Sequence, residues 1–160
     1  MTSLFFLFLT IVAPTTPTTP IDDAADASAK VYEYFSLFNE KDTQKIANEI
    51  YATPLHIGGA TGHRVLADAE AAVENLTNLY EQIDAQGWKE SRIKDVVVCV
   101  ASESLAFVDT QYSRIDQSGT PIPPTLRTNL YVLQKLDGDW RIVAFYSHDN
   151  DKRPGCAPGH

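Results

Sequence analysis

The feature that most constrains the fold of this chain is the dipeptide Asp137-Gly138, which separates two runs rich in β-branched and aromatic residues, 126–136 and 139–148. Asp-Gly is typical of the type I′ turn of a two-residue β-hairpin, because both central positions of that turn need a positive φ. The sequence therefore predicts one long hairpin, with Lys135 opposite Trp140 and side chains alternating between two faces. A three-residue turn would shift the pairing by one residue and exchange the faces.

In this register, one face of the hairpin changes from apolar to hydrogen-bonding side chains along its length. Its turn end carries Leu133, Trp140 and Ile142, and its far end carries Arg127, Asn129, Tyr131, Tyr146 and His148. An apolar floor that passes into a polar group is typical of a small-molecule pocket. The alternative is that these polar groups lie at a solvent-exposed rim of the sheet. The opposite face carries Leu130, Val132, Val143 and Phe145.

Helical periodicity comes before the strands in the chain. Apolar residues recur at spacings of three and four over residues 22–38 and 68–86, and Asp42 is placed to cap a short helix between them. A strand is predicted over 55–57 and two longer ones over 88–101 and 105–115. Three helices followed by a four-stranded antiparallel meander predict an α+β domain with helices on one sheet face.

Two further segments, residues 58–62 and 105–115, bear on the function. The glycine-rich residues 58–62 lack the Lys-Ser/Thr of a phosphate loop, and we interpret them as a flexible connector. Alternation along 105–115 places Ala106, Val108, Thr110, Tyr112 and Arg114 on one side and Leu105, Phe107, Asp109, Gln111 and Ser113 on the other. Asp109 or Tyr112 joins the polar end of the hairpin, depending on which side turns inward.

Composition excludes some classes of partner. The net charge of −8, with 21 acidic and 13 basic residues, argues against a nucleic-acid partner, because phosphate binding needs clustered Lys and Arg. No pair of histidines has metal-site spacing, so we predict no metal and no cofactor. Ser147-His148-Asp149 has the residue types of a catalytic triad, but neighbours on a strand point to opposite faces. Cys99 lies in an apolar run and is expected to be a buried small hydrophobe.

The ends of the chain are treated apart from the folded domain, residues 22–149. Residues 4–13 are apolar and have the length of a signal-peptide core, too short to span a bilayer, and a Pro/Thr linker follows within the segment 1–21. We predict export, periplasmic or secreted, through a weak signal peptide. The alternative is a cytoplasmic protein with an extension of no function. Residues 150–160 are predicted to be a disordered tail.

The order of helices and strands, together with the motif Gly138-x-Trp140-Arg141-Ile142, resembles the nuclear transport factor 2-like superfamily over residues 24–149. The SnoaL-like and ketosteroid-isomerase-like branch is the most similar. The resemblance implies a cystatin-like fold, in which a bent antiparallel sheet wraps round helices into a cone. It also implies a homodimer through the outer sheet face, and we expect Val132 and Phe145 at its centre.

The resemblance leaves two functions open. One is a domain that binds a small, largely apolar molecule in the cone, with or without proton-transfer chemistry of isomerase, cyclase or dehydratase type. The other is a non-catalytic dimerising or protein-docking module. Because enzymes of this family use a buried Asp or His base with a Tyr or acid donor, our candidate catalytic residues are His148 and Asp109. The candidate ligand-binding residues are Tyr146, Tyr131, Arg127, Asn129, Tyr112 and His56.

Overall fold

The computed structural model describes residues 20–60 and 62–154, with side chains from Asp22 onward. The helices are α1 (Pro20–Glu40), α2 (Thr43–Lys45), which continues into a π-helical segment (Ile46–Ile50), and α3 (Ala69–Asp84). The strands are β1 (Tyr51–Gly59), β2 (Gly62–Leu66), β3 (Trp88–Ser102), β4 (Leu105–Asp116), β5 (Arg127–Leu136) and β6 (Asp139–His148). Segments 1–19 and 155–160, with the predicted signal peptide and most of the predicted tail, lie outside the described residues.

The six strands form one curved sheet in the order β2-β1-β6-β5-β4-β3. All neighbours are antiparallel except β1 and β6, which are parallel. The predicted α+β class and the meander β3–β6 are confirmed, and the hairpin β1–β2 extends the sheet beyond β6. We call the sheet face that packs against the helices the inner face and the opposite one the outer face.

Local sequence explains where the helices begin and end. The Asp42 side chain accepts a hydrogen bond from the Lys45 backbone N–H at 3.0 Å, and Asp68 accepts one from Ala71 at 2.9 Å. Both are N-caps that satisfy an otherwise unpaired helical N–H. Gly87 follows α3 with a φ of +79°, a conformation that ends a helix without the cost a side chain would bring.

The hairpin turn is as predicted, but its register holds over only half its length. Asp137 and Gly138 have φ of 52° and 92°, and the pairs Lys135–Trp140 and Leu133–Ile142 are confirmed. Val143 is then an extra residue, because the next pair is Val132 with Ala144. This β-bulge reverses the alternation of β6 from that point on.

Beyond the bulge the predicted pairs and faces of β6 are wrong. Phe145 pairs with Tyr131 and turns to the inner face, where its ring lies 5.7 Å from that of Tyr131. Tyr146 and His148 turn to the outer face. The single polar face that the sequence predicted is therefore divided between the two sides of the sheet.

The β1–β2 hairpin corrects a second expectation. Gly58 and Gly59 belong to β1 and do not form a flexible connector. A Cβ on Gly58 would lie 2.7 Å from Cε1 of Tyr146 and closer still to Cδ1, so the Tyr146 ring packs across this glycine on the outer face. Among the described residues of this segment, Gly62 has the positive φ of a turn residue, +112°.

The inner face and the helices share an aromatic core. Tyr34, Phe35 and Phe38 of α1 are buried and contact rings of the sheet, among them Tyr131, Tyr112 and Trp88. Ala106, Val108, Thr110 and Tyr112 of β4 are buried on this inner face, and Asp109 lies on the outer face. Which side of β4 turns inward is thereby decided in favour of Tyr112.

The outer face carries two features that the sequence did not predict. Cys99 is only half-buried and is disulfide-bonded, so the prediction of a buried small hydrophobe is wrong. In the segment after β6, the Arg153 guanidinium bonds to Asp95 and Asp109. None of the described helices is long and apolar enough to cross a membrane.

Candidate functional site

A cavity of about 420 Å³ lies between α1, α3, the β1–β2 hairpin and the inner face of the sheet. Its apolar wall comes mainly from aromatic and aliphatic side chains: Tyr34, Phe35, Phe38, Tyr51, Ile57, Leu76, Leu79, Tyr112, Tyr131 and Phe145. Its polar wall is formed by His63, Arg64, Asn75, Ser91, Arg114, Asn129 and Ser147. The volume and the mixture of linings are those of a small-molecule site.

Three tyrosines of the cavity wall have hydroxyls that stay protonated at neutral pH. Burial raises the pKa of Tyr34 to about 12, even though a hydrogen bond with Tyr51 opposes the shift. Burial also raises the pKa of Tyr51 and of Tyr131 well above the usual value. Each of these phenols is therefore a neutral hydrogen-bonding group and not a phenolate base.

Asn129 organises the polar end of the cavity. Its Nδ2 lies 3.3 Å from the hydroxyl of Tyr131 and 3.5 Å from that of Tyr112, and both hydroxyl oxygens accept from it. Its Oδ1 accepts a hydrogen bond from Ser147 Oγ at 2.9 Å. The amide thus uses both of its N–H donors on the two phenols, and the hydroxyl hydrogens of those phenols are left to point elsewhere.

Arg114 supplies a positive charge to the same end. It extends from the inner side of β4 and is half-buried, and its Nε is buried without a hydrogen-bond partner. Its charge lowers the pKa of Tyr34 and Tyr131 against the larger effect of burial, and it adds to the lowering of the pKa of Arg127 that burial causes. Arg114 and these phenols line the same cavity.

The predicted site residues are distributed over three places. Tyr131, Asn129 and Tyr112 line the cavity. Arg127 and His148 lie in an open groove beside it, which shares the wall residues Tyr112, Arg114, Asn129 and Ser147 with the cavity. Tyr146 and His56 lie in a shallow depression of the outer face. Their functional roles remain predictions.

The guanidinium of Arg127 is occupied by the protein itself. It donates to the backbone carbonyls of Ile122 and Pro123 at 3.0 Å each, and also to that of Pro124. These bonds fix the loop between β4 and β5. They leave Arg114, and not Arg127, as the arginine available to a ligand.

His148 and Asp109, the two candidate catalytic residues, contact each other on the outer face. The Nε2 atom of His148 lies 2.7 Å from Oδ1 of Asp109, and Nδ1 lies 2.9 Å from the backbone oxygen of Asp149. Both ring nitrogens of His148 are thus engaged by groups of the protein, which favours a structural role here.

A second histidine pair lies at the hairpin β1–β2. His56 Nδ1 and His63 Nε2 are 3.3 Å apart, and the rings are stacked with centroids 5.4 Å apart. Within residues 20–60 and 62–154, no group of three or more His, Cys, Asp or Glu side chains is placed to hold a metal ion.

Sequence reasoning missed Arg114 and the tyrosines of the helical side. Alternation placed Arg114 on the same side of its strand as Tyr112, and a lone arginine on an otherwise apolar inward face was the available evidence. Tyr34 lies within the helical periodicity of residues 22–38, and no local pattern singled out Tyr51. Their approach to Tyr131 depends on how α1 crosses the sheet and on the pairing of β1 with β6.

Comparison with known proteins agrees with this geometry. A family model described as NTF2-like protein (DUF6841) matches residues 24–150. A search of curated proteins found no match.

Similar solved structures share the fold at low sequence identity. An NTF2-like protein with a cystatin-like fold from Novosphingobium aromaticivorans is 15% identical, with a TM-score of 0.65 over 79% of this chain and 81% of the other. The protein Aln2 from a Streptomyces species is 13% identical, with a TM-score of 0.66 over 85% and 96%. A ketosteroid isomerase-like protein from Erwinia carotovora atroseptica is 20% identical, with a TM-score of 0.58 over 79% and 95%.

Proposed function

The chain belongs to the NTF2-like family DUF6841, and from that premise we propose that its domain binds a small, largely apolar molecule in the cavity described above. The observation that carries this proposal is the cavity itself, about 420 Å³ in volume between helices and sheet. Ligand pockets have volumes of about 300 Å³ and more. In the alternative function, a dimerising or protein-docking module, the core aromatics would fill this space.

Binding to a neutral apolar probe tests this proposal directly. We expect N-phenyl-1-naphthylamine to bind with enhanced fluorescence, and native mass spectrometry of the purified protein to reveal a retained small molecule. Leu79→Trp places a larger side chain at the cavity wall and should weaken probe binding about tenfold or more. Val65→Trp is the matched control, because Val65 is 47% exposed and does not line the cavity.

Two outcomes would contradict the proposal. One is a wild-type protein that neither binds the neutral probe nor retains a molecule. The other is equal probe binding by wild type and Leu79→Trp, since the probe would then bind elsewhere. Either result would favour the docking module.

Proton-transfer chemistry of isomerase, cyclase or dehydratase type needs a base that reaches the ligand. No described residue of the cavity lining is Asp or Glu, and His63 lies exposed at its edge. His148 lines the adjoining groove, but its ring nitrogens contact Asp109 and the backbone oxygen of Asp149. We therefore propose binding as the function and assign no proton-transfer step to these residues.

We also propose that the protein is a homodimer through its outer sheet face. Six largely apolar side chains lie side by side on this face: Phe107, Leu130, Val132, Val143, Ala144 and Tyr146. A contiguous apolar patch of this kind usually marks an interface, and a two-fold axis is the commonest symmetry for a homo-oligomer. The bulge at Val143 removes Phe145 from this surface, so Val132 and Tyr146 take the central positions.

We propose export from the cytoplasm as well. The support is the apolar run 4–13 together with the disulfide of Cys99, because disulfides persist mainly in oxidising compartments. N-terminal sequencing of the mature protein tests the proposal. An intact Met1 on protein recovered from the cytoplasm with Cys99 reduced would contradict it.

A further inference from the structure

The charges around the cavity are opposite to those of the whole chain. The chain has 21 acidic and 13 basic residues, yet the charged residues among the described cavity lining are Arg64 and Arg114, without a carboxylate. A ligand in this cavity meets positive charge that the protein leaves unneutralised. This asymmetry points to an anion as the complementary group.

Arg114 differs from other half-buried arginines of the described chain in having no partner. Arg127 and Arg141 donate to backbone carbonyls, and Arg153 donates to two aspartates. Within the part of the chain that the structure describes, the Arg114 side chain makes no hydrogen bond or ion pair, and its Nε is buried. A buried guanidinium N–H without an acceptor is costly, and such a group calls for a functional explanation.

The groups next to Arg114 provide further hydrogen-bond donors and no acceptor for its positive charge. Asn129 donates to the hydroxyl oxygens of Tyr112 and Tyr131. The hydrogens of both hydroxyls therefore do not bond to Asn129. Burial keeps Tyr131 protonated, so its hydroxyl remains a donor at neutral pH. The guanidinium and two phenols thus form a set of hydrogen-bond donors at the polar end of an aromatic cavity.

Building on the proposed function, we infer that the natural ligand is an aromatic or otherwise apolar carboxylate, anchored by Arg114 with the hydroxyls of Tyr112 and Tyr131. The planar guanidinium fork matches a carboxylate with two parallel N–H···O bonds. The remaining wall, with Phe35, Phe38 and Phe145, suits an apolar ring. Arg114 with two neutral phenols suits a single negative charge better than a phosphate dianion, and Arg64, the other arginine of the described lining, is exposed.

A matched pair of probes isolates the charge. 2-Naphthoate and 2-naphthamide share the same ring system and differ in the anionic group. We expect 2-naphthoate to displace N-phenyl-1-naphthylamine with at least about 10-fold higher affinity than the amide, because hydrogen bonds to a charged group are the stronger ones. Arg114→Gln should abolish this preference, and Arg114→Lys should retain part of it because the charge remains. Arg141→Gln is the control, since Arg141 does not line the cavity.

The outcomes separate this inference from the proposed function. Equal affinity for naphthoate and naphthamide, with the neutral probe bound and displaced, overturns the carboxylate and leaves apolar binding intact. Tighter binding of 2-naphthyl phosphate than of 2-naphthoate overturns it in favour of a phosphate ester. An unchanged preference in Arg114→Gln overturns the role of Arg114. If the neutral probe does not bind the wild type either, both proposals fail.

Discussion

The Nε2 atom of His148 lies 2.7 Å from Oδ1 of Asp109 on the sheet face opposite the cavity. Asp109 is 2% exposed, and the Arg153 guanidinium donates to its second carboxyl oxygen. A buried carboxyl group held by a histidine and an arginine is a structural anchor that fastens the segment after β6 to β4. The sequence had predicted His148 and Asp109 as catalytic residues.

Breaking this anchor from the arginine side should destabilise the fold. Arg153→Met leaves Asp109 buried with His148 as its remaining side-chain partner, and we expect a loss of about 3 kcal/mol in the free energy of unfolding. Lys152→Met is the control, because its ion pair with Asp149 is exposed and the substitution should leave the free energy of unfolding nearly unchanged. Urea denaturation followed by circular dichroism measures both. Equal stability of the two variants would contradict the anchor.

The buried tyrosines predict sensitivity to alkaline pH. The folded pKa of Tyr34 is raised to about 12 from 10.0, and the pKa values of Tyr51 and Tyr131 are raised well above 10.0. Below pH 10 both folded and unfolded states keep these protons, so their full stabilising effect is present. Between about pH 10 and 12 only the unfolded state ionises, and stability falls by roughly 1.4 kcal/mol per pH unit for each such tyrosine.

Unfolding between pH 10 and 12 should therefore coincide with phenolate absorbance at 295 nm. Tyr34→Phe should reduce the slope of stability against pH by the contribution of one tyrosine, roughly 1.4 kcal/mol per pH unit. Tyr32→Phe should leave it unchanged, because Tyr32 is 51% exposed. Phenolate absorbance of the folded protein at pH 10 that Tyr34→Phe lowers would show that Tyr34 is accessible and not buried.

Removal of the Arg114 charge should stabilise the unliganded protein. Arg114→Met replaces a guanidinium that has no acceptor with an apolar side chain of similar length, and we expect a gain of about 1 kcal/mol. Thermal and urea unfolding of the ligand-free protein measure the change. A loss of stability of similar size would mean that the arginine has a structural role.

The contact between Gly58 and Tyr146 predicts a coupled pair of substitutions. Gly58→Ala puts a Cβ 2.7 Å or less from two atoms of the Tyr146 ring, and overpacking of this kind costs about 1–3 kcal/mol. In a protein that already carries Tyr146→Ala, adding Gly58→Ala should cost much less stability, because the ring that the new Cβ would meet is absent. Strictly additive effects in this double-mutant cycle would contradict the contact.

The outer face predicts which substitution separates the proposed dimer. Val132→Glu places a charge within the apolar patch and should yield a monomer in sedimentation velocity. Phe145→Glu should leave the association intact and impair the cavity, because Phe145 faces Tyr131 and Tyr51. A wild type that sediments as a monomer at tens of micromolar would end the dimer proposal.

The sequence by itself determined the features that depend on local chemistry. Asp137-Gly138 specified a turn with two positive φ angles, and Asp42 and Asp68 specified helix starts, because each acts within a few residues. Alternation along β4 grouped Tyr112 with the inward residues, since a regular strand has a strict period of two. The hydrophobic periodicity of the helices and strands was enough to predict an α+β domain with one helical layer.

The tertiary structure alone decided which side chains meet in the cavity. The bulge at Val143 has no local sequence requirement, and it sends Phe145 inward while Tyr146 packs across Gly58 of a strand 88 positions earlier in the chain. Likewise Arg114 lies without a partner because, among the residues that the structure describes, no acidic side chain lines the cavity. Pairing between distant strands decides both outcomes. The predicted polar face is therefore divided, and the cavity is positively charged, for reasons that are visible only in the folded chain.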